Sequence, residues 1–165
     1  KVVIIDFFQL WCPGCNKFTM PLIKHWQQVF AEDIKHDRLE VVSIHTVFEG
    51  HDYQNPKRLK KFLKQKQIHH LVGVDRHRKG EFLPETMRAY RTRGTPEVVM
   101  IDKLGQVRFQ KFGGFDVEKA QGCCNGCWRS RGARGVKSGK SDCRRIHSSL
   151  AASTGLNFAA GYGGG

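Results

Sequence analysis

Cys12 and Cys15 stand three residues apart in the stretch IIDFFQLWCPGC, residues 4–15, directly after a run of apolar and aromatic residues. Three chemistries suit such a pair: reversible redox, half of a zinc site, or a structural disulfide. If the pair sits where a strand gives way to a helix, the unpaired backbone N–H groups and the dipole of the helix N-terminus favour the thiolate of the first cysteine. Thiolate is the species that attacks a disulfide. Cys12 would then attack, and Cys15, one turn further on, would resolve the mixed disulfide.

One carboxylate interrupts the apolar run. Side chains alternate along a strand, so Asp6 and Phe8 face one side while Ile5 and Phe7 face the other. If Asp6 points inward beneath the cysteines, desolvation raises its pKa, and a carboxyl group near neutrality can take the Cys15 proton. The plainer reading has Asp6 bonding a backbone amide or a lysine, and residue chemistry alone leaves both open. Two metal readings compete with redox chemistry. Cys12 and Cys15 could bind copper with a later histidine, for which His45 and the adjacent His69 and His70 are the candidates. The CCNGC run, residues 123–127, could begin a zinc site with Cys143 and His147, although no second Cys-x-x-Cys follows it.

The elements that must position these groups follow from periodicity. KVVIIDFF predicts a buried strand. Residues 15–31 carry Phe18, Leu22, Ile23, Trp26, Val29 and Phe30 at helical spacing, with Pro21 expected to kink the helix because it has no N–H to donate. LEVVSIHTVF, residues 39–48, predicts a second buried strand. NPKRLKKFLKQKQ opens with Asn55 as N-cap and Pro56 at the first helical position. HLVGVD predicts a short strand, LPETMRAYRTRG a short helix, and PEVVMID and VRFQKF two strands joined by a turn at Gly105. Strands alternating with helices imply an α/β domain, with a central mixed sheet flanked by helices and a C-terminal hairpin adding antiparallel strands.

The chain has 165 residues, 39% hydrophobic and 26% charged, which suits one globular domain. No run approaches the roughly 18 apolar residues of a membrane span. It starts with Lys1 directly in an apolar strand, so an N-terminal piece is expected to be missing, and compartment is not legible here. The net charge of +13 is spread along the chain: residues 118–165 hold eight Lys/Arg and two Asp/Glu, the rest 20 and 13. No basic stripe with interleaved aromatics points to nucleic acid. After residue 117 the composition turns to Gly, Ser, Arg and Ala, with ten of the 18 glycines. The expected division is therefore a domain over 1–117 and a disordered tail over 118–165.

IIDFFQLWCPGC resembles the active site of the thioredoxin superfamily, in which an acidic residue lies six positions before the first cysteine and a Trp directly precedes it. RGTPEVVMID, residues 93–102, resembles the family's loop, in which a cis-proline faces the cysteines before a strand. By residue chemistry alone, Pro96 would be an ordinary trans turn. VVSIHTVFEGHD and MRAYRTRGTPEVVMIDKLGQVRF are similar to segments of the TlpA/ResA-like thiol–disulfide oxidoreductases, and the resemblance spans about residues 1–116.

The resemblance implies a redox-active Cys12–Cys15 disulfide, no dissociable cofactor, and no metal. It implies Asp6 as proton acceptor with Glu49 as a second. Trp11, Pro13, Gly14, Thr95 and Pro96 become the substrate-facing surface for protein dithiols and disulfides. It further suggests a monomer in a bacterial, extracytoplasmic setting. A peroxiredoxin would need Thr or Ser three residues before its cysteine, where this chain has Gln9. There are departures from the family. The inner dipeptide is Pro-Gly rather than the commoner Gly-Pro or Pro-Pro, Pro21 lies one residue further from Cys12 than usual, and the last helix is expected to start after Phe115 and then fail, leaving one sheet face uncovered.

Overall fold

A computed structural model describes residues 1–129. Five strands form one sheet in the order β3-β2-β1-β4-β5. They are β1 (Val2–Phe8), β2 (Leu39–His45), β3 (Leu71–Val74), β4 (Glu97–Ile101) and β5 (Val107–Phe112). β1, β2 and β3 run parallel, while β4 is antiparallel to β1 and β5 antiparallel to β4. Buried on both faces, β1 lacks polar alternation except at Asp6, as expected of a central strand.

The expected helix over 15–31 is three pieces. Cys15–Thr19 is a π-helical turn, closed by the Met20 N–H donating to Cys15 O. The α-helix α1 (Met20–Val29) follows, and after a break at Phe30 comes α2 (Ala31–Lys35). Pro21 lies in the first turn of α1, where its missing N–H matters least, so the helix widens before the proline. A π turn holds one residue more than an α turn. Beyond it, Leu22, Ile23 and Trp26 face the core.

α3 (Pro56–Gln65) starts as predicted, with Asn55 Oδ1 accepting from the Arg58 N–H at 3.0 Å. α4 is shorter than expected, Glu85–Ala89. The last helix corrects the sequence reading. α5 runs Val117–Arg129, across the expected boundary at 118, and buries Ala120 and Cys124 against a cluster containing Val2, Ile4, Trp26, Val98 and Met100. The sheet face expected to be bare is therefore covered. The rest of the tail, Cys143 and His147 included, lies outside the described residues.

The core has two sides. Ile4, Asp6 and Phe8 face α1, and Phe8 packs with Cys12, Cys15, Met20 and Leu59. Ile5, Phe7, Val42, Ile44 and Val99 fill the opposite face, where Tyr90 from the end of α4 lies 5.7 Å from the Phe7 ring.

Candidate active site

The site lies at the C-terminal end of β1, the central strand of the sheet. Cys12 and Cys15 form a disulfide, with Cα atoms 5.3 Å apart. Cys12 reaches the surface at 7% exposure, whereas Cys15 is fully buried, so an incoming partner meets Cys12. The Cys15 backbone N–H points at Cys12 Sγ, 3.1 Å away. A donor so placed stabilises negative charge on that sulfur. Asn16 fixes the turn: its Nδ2 donates to Leu10 O and Cys12 O, each at 3.0 Å.

Asp6 is completely buried. Burial pushes its pKa up from the ordinary 3.8 to about 7, and the Thr19 and Ser43 hydroxyls offset part of that rise. Register places Ser43 opposite Asp6 on β2, and Ser43 Oγ donates to Asp6 Oδ2 at 3.4 Å. The other carboxyl oxygen is buried without a hydrogen-bond partner among the described residues. A buried carboxyl group held near neutrality is suited to proton transfer.

The Thr95–Pro96 peptide is cis, and Pro96 O accepts from the Gly113 N–H at 2.8 Å. A groove of about 330 Å3 runs between this segment and the cysteines, with Trp11, Phe48, Arg93 and Phe112 among its walls and Pro13 and Thr95 along its length. The Arg93 guanidinium lies 5.4 Å from the Phe112 ring centroid. Trp11 is 44% exposed. Its indole stacks on Tyr53 at 5.6 Å, and Arg58 covers the far face of that stack, 4.1 Å from the Tyr53 centroid. Gly50, at φ +61°, lies so close beneath the indole that an added Cβ would be 2.0 Å from it. Gly14 likewise abuts Pro96.

Glu49 is exposed on the groove wall. Two site residues had no sequence signal. Gln9, buried, accepts from Trp11 Nε1 at 3.3 Å and from Thr95 Oγ1 at 3.5 Å, linking the cysteine loop to the proline loop. Gln54, also buried, accepts the Leu10 N–H at 2.9 Å and donates to Glu49 O at 3.0 Å.

His45, the metal candidate on β2, is buried with Nε2 3.3 Å from Gln54 Oε1, and burial lowers its pKa. His70 bonds Ser43 at 2.7 Å. Among the described residues no three His, Cys, Asp or Glu are grouped to hold a metal ion.

Solved structures resemble this chain. A thiol-disulfide isomerase from Corynebacterium glutamicum shares 34% identity over 79% of this chain and 82% of its own, with a TM-score of 0.70. A thioredoxin-like superfamily protein shares 38% identity over 81% of this chain and 83% of its own, with a TM-score of 0.71. A candidate thiol:disulfide interchange protein, DsbE, from Chlorobium tepidum shares 26% over 77% and 79%, with a TM-score of 0.60. No family model and no curated protein matches the chain.

Proposed function

The chain belongs to the thioredoxin superfamily, as a TlpA/ResA-like redoxin domain, and from that membership we propose that it exchanges disulfides with protein partners through Cys12 and Cys15. The observation that carries the reading is the asymmetry of the pair. Cys12 is accessible beside an aromatic groove, and Cys15 is sealed beneath it on the side of the sheet that holds Asp6.

In the reducing direction, the Cys12 thiolate attacks a partner disulfide. One partner sulfur leaves as a thiolate and takes a proton from solvent, and the other joins Cys12 in a mixed disulfide. Cys15 gives its proton to Asp6 and attacks Cys12 Sγ. The bond between Cys12 and the partner breaks, and the second partner thiolate departs. Two electrons have moved to the partner, and Cys12–Cys15 is the oxidised product. The oxidising direction is the reverse. The sulfur pair carries the electrons, so the proposal involves no dissociable cofactor and no metal.

The groove supplies the docking surface. Trp11 offers a rigid aromatic face and Thr95 lines the same groove, while Pro96 lies buried behind it against Gly14. Glu49, on the same wall as Phe48, is a second candidate for proton traffic at the groove mouth. The family resemblance supports an extracytoplasmic monomer acting on proteins rather than nucleic acid; no helix among the described residues is long and apolar enough to cross a membrane.

The test is a thiol titration against glutathione buffers, on the full chain with Cys123, Cys124, Cys127 and Cys143 changed to Ser. One two-electron transition confined to Cys12 and Cys15 supports the oxidoreductase, and its midpoint assigns reductase or oxidase. If no internal disulfide forms at any poise, the redox reading fails, and copper or zinc binding by the same pair takes its place.

A further inference from the structure

Among the described residues, Arg93 is the only cation lining the groove beside Cys12, and Glu49 the only carboxylate. They reach it from opposite edges of β1. Glu49 follows β2, Arg93 precedes β4, and β2 and β4 pair with β1 on its two sides. Other exposed arginines, Arg38, Arg76 and Arg88, each hold a carboxylate. Arg93 is exposed too, yet it pairs with no carboxylate among the described residues, Glu49 included.

This cation is held at both ends. Its backbone N–H donates to Glu97 Oε2 at 2.9 Å. Glu97 is buried, and its other oxygen accepts from Gln110 Nε2 at 2.6 Å. Gln110 also donates to Tyr90 O at 2.9 Å, so β5 braces the turn that carries Arg93. At the far end the guanidinium lies over the Phe112 ring. Phe112 fits there because Gly94 has no side chain: a Cβ on Gly94 would stand 2.9 Å from Phe112 Cε2. An arginine whose charge rests on an aromatic ring keeps its planar N–H fork available for a carboxylate. With its position already limited, it loses less freedom when it binds one.

We propose that Arg93 selects the partner: the groove takes a disulfide-bearing segment with an acidic side chain close to the cysteine, and that carboxylate pairs with Arg93. The proposal rests on the reading of Cys12 as the attacking sulfur. Glu49 repels an acid on the β2 side, so the segment enters with its carboxylate toward Phe112. The surroundings add a general attraction of the same sign. α3 carries Lys57, Arg58, Lys60, Lys61 and Lys64 and no acidic residue. Arg58 lies over Tyr53, which stacks on Trp11, but it does not line the groove. Arg91, two residues before Arg93, is exposed as well. Arg58 and Arg91 are the competing cations.

The experiment follows a single turnover of the reduced full chain, in excess, on a set of peptide disulfides, by acid quench and chromatography. Each peptide is a symmetric disulfide of a short neutral sequence with Asp, Asn or Lys two residues before or after its cysteine. Each rate is divided by that of the same peptide with dithiothreitol, which removes the peptide's own reactivity. The native protein is expected to reduce the better Asp peptide about fivefold faster than its Asn counterpart, and the Lys peptide more slowly still. The preference shrinks as salt rises from about 0.01 M to about 1 M. In R93M the Asp peptide loses its advantage. In R93E the order reverses and Lys is preferred, which a damaged fold does not produce. R58M and R91M keep the native order. If the native protein reduces all three kinds of peptide alike, Arg93 selects nothing; the proposal is wrong and disulfide exchange stands. If the preference survives in R93M, another cation reads the charge and the assignment to Arg93 is wrong, with R58M and R91M showing which. If no peptide is reduced, the exchange reading itself fails, and this one with it.

Discussion

Gly14 packs directly on Pro96: a Cβ built on Gly14 would stand 2.9 Å from Pro96 Cδ and 3.3 Å from Cγ. Its φ of −63° suits any residue, so the requirement for glycine here is one of space. Pro96 is buried, its ring cannot swing aside as a long side chain would, and the first ångströms of Gly14 and Pro96 join the cysteine loop to the proline loop. Gly14→Ala is therefore expected to destabilise the protein by about 1–3 kcal/mol, the usual cost of forcing atoms into a packed contact. Urea unfolding of both proteins, in the oxidised state, measures it. An unchanged midpoint would mean that the two loops separate freely.

Asp6 makes the fold less stable at high pH. Unfolded, it ionises near the ordinary 3.8; folded, only near 7. Between those values the folded state holds a proton that the unfolded chain has lost, so stability falls as pH rises across that window and stays reduced above it. Three pH units correspond to about 4 kcal/mol. Asp6→Asn is expected to be more stable than the native protein at pH 8 by up to that amount, with the difference vanishing below pH 4. Denaturant midpoints at several pH values test this, and parallel curves would place the Asp6 pKa near 4.

His70 acts at the other end of the scale. The unfolded imidazole takes a proton near 6.5, the folded one only near 4. The unfolded chain binds the extra proton in between, so stability falls as pH drops from about 6.5 to about 4. Partial exposure limits the effect to about 2 kcal/mol. His70→Phe should flatten this acid limb, and His45, whose pKa burial also lowers, accounts for part of the slope that remains. An acid limb unaltered by His70→Phe would show that the ring titrates normally in the folded protein.

Trp11 is held by Tyr53 on one side and by the bare backbone of Gly50 on the other. Gly50→Ala must displace the indole, because the added atom would overlap it. Removing an exposed aromatic anchor typically costs more than about 1 kcal/mol at a protein contact, roughly fivefold or more in KM. Gly50→Ala and Trp11→Ala are both expected to raise KM for a protein disulfide. Alkylation of reduced Cys12 by iodoacetamide should proceed at the native rate. If alkylation slows equally, Trp11 acts on the sulfur rather than on the partner.

Gln54 closes the backbone around the cysteine loop. Its Oε1 takes the buried Leu10 N–H, and Gln54→Leu would leave that donor with nothing to bond. A loss of about 1–3 kcal/mol in stability is expected. Amide hydrogen exchange at Leu10 reads the effect locally, and full protection in the variant would show that another acceptor serves it.

Much of the site is legible from residue type because its chemistry is local. The cysteine pair and the lone carboxylate in an apolar strand announce themselves within a few positions, whereas the cis Thr95–Pro96 segment is legible only through the family resemblance, since an isomer leaves no mark on residue type. The strands were legible too, since β1, β2 and β4 are buried on both faces and rich in β-branched residues. What escaped depends on three dimensions. α5 carries small residues, Ala120 and Cys124, on its buried side, so it shows no strong apolar stripe; contact with Trp26 and Met100 makes it a helix. Gln9 and Gln54 look like surface residues until the loops they tie are folded together. Ser43 and His70 are separated by 27 residues and meet only because β2 and β3 pair.

The π turn at Cys15–Thr19 has one more consequence. Every residue added to a regular helix rotates everything after it by about 100°. Here a turn one residue wider than an α turn stands between the cysteines and the regular helix. The cysteines keep their orientation toward the groove, and Trp26 keeps its seat against the sheet. The π turn thus sets the cysteines at the groove on one side and Trp26 in the core on the other, with Pro21 opening the regular helix between them.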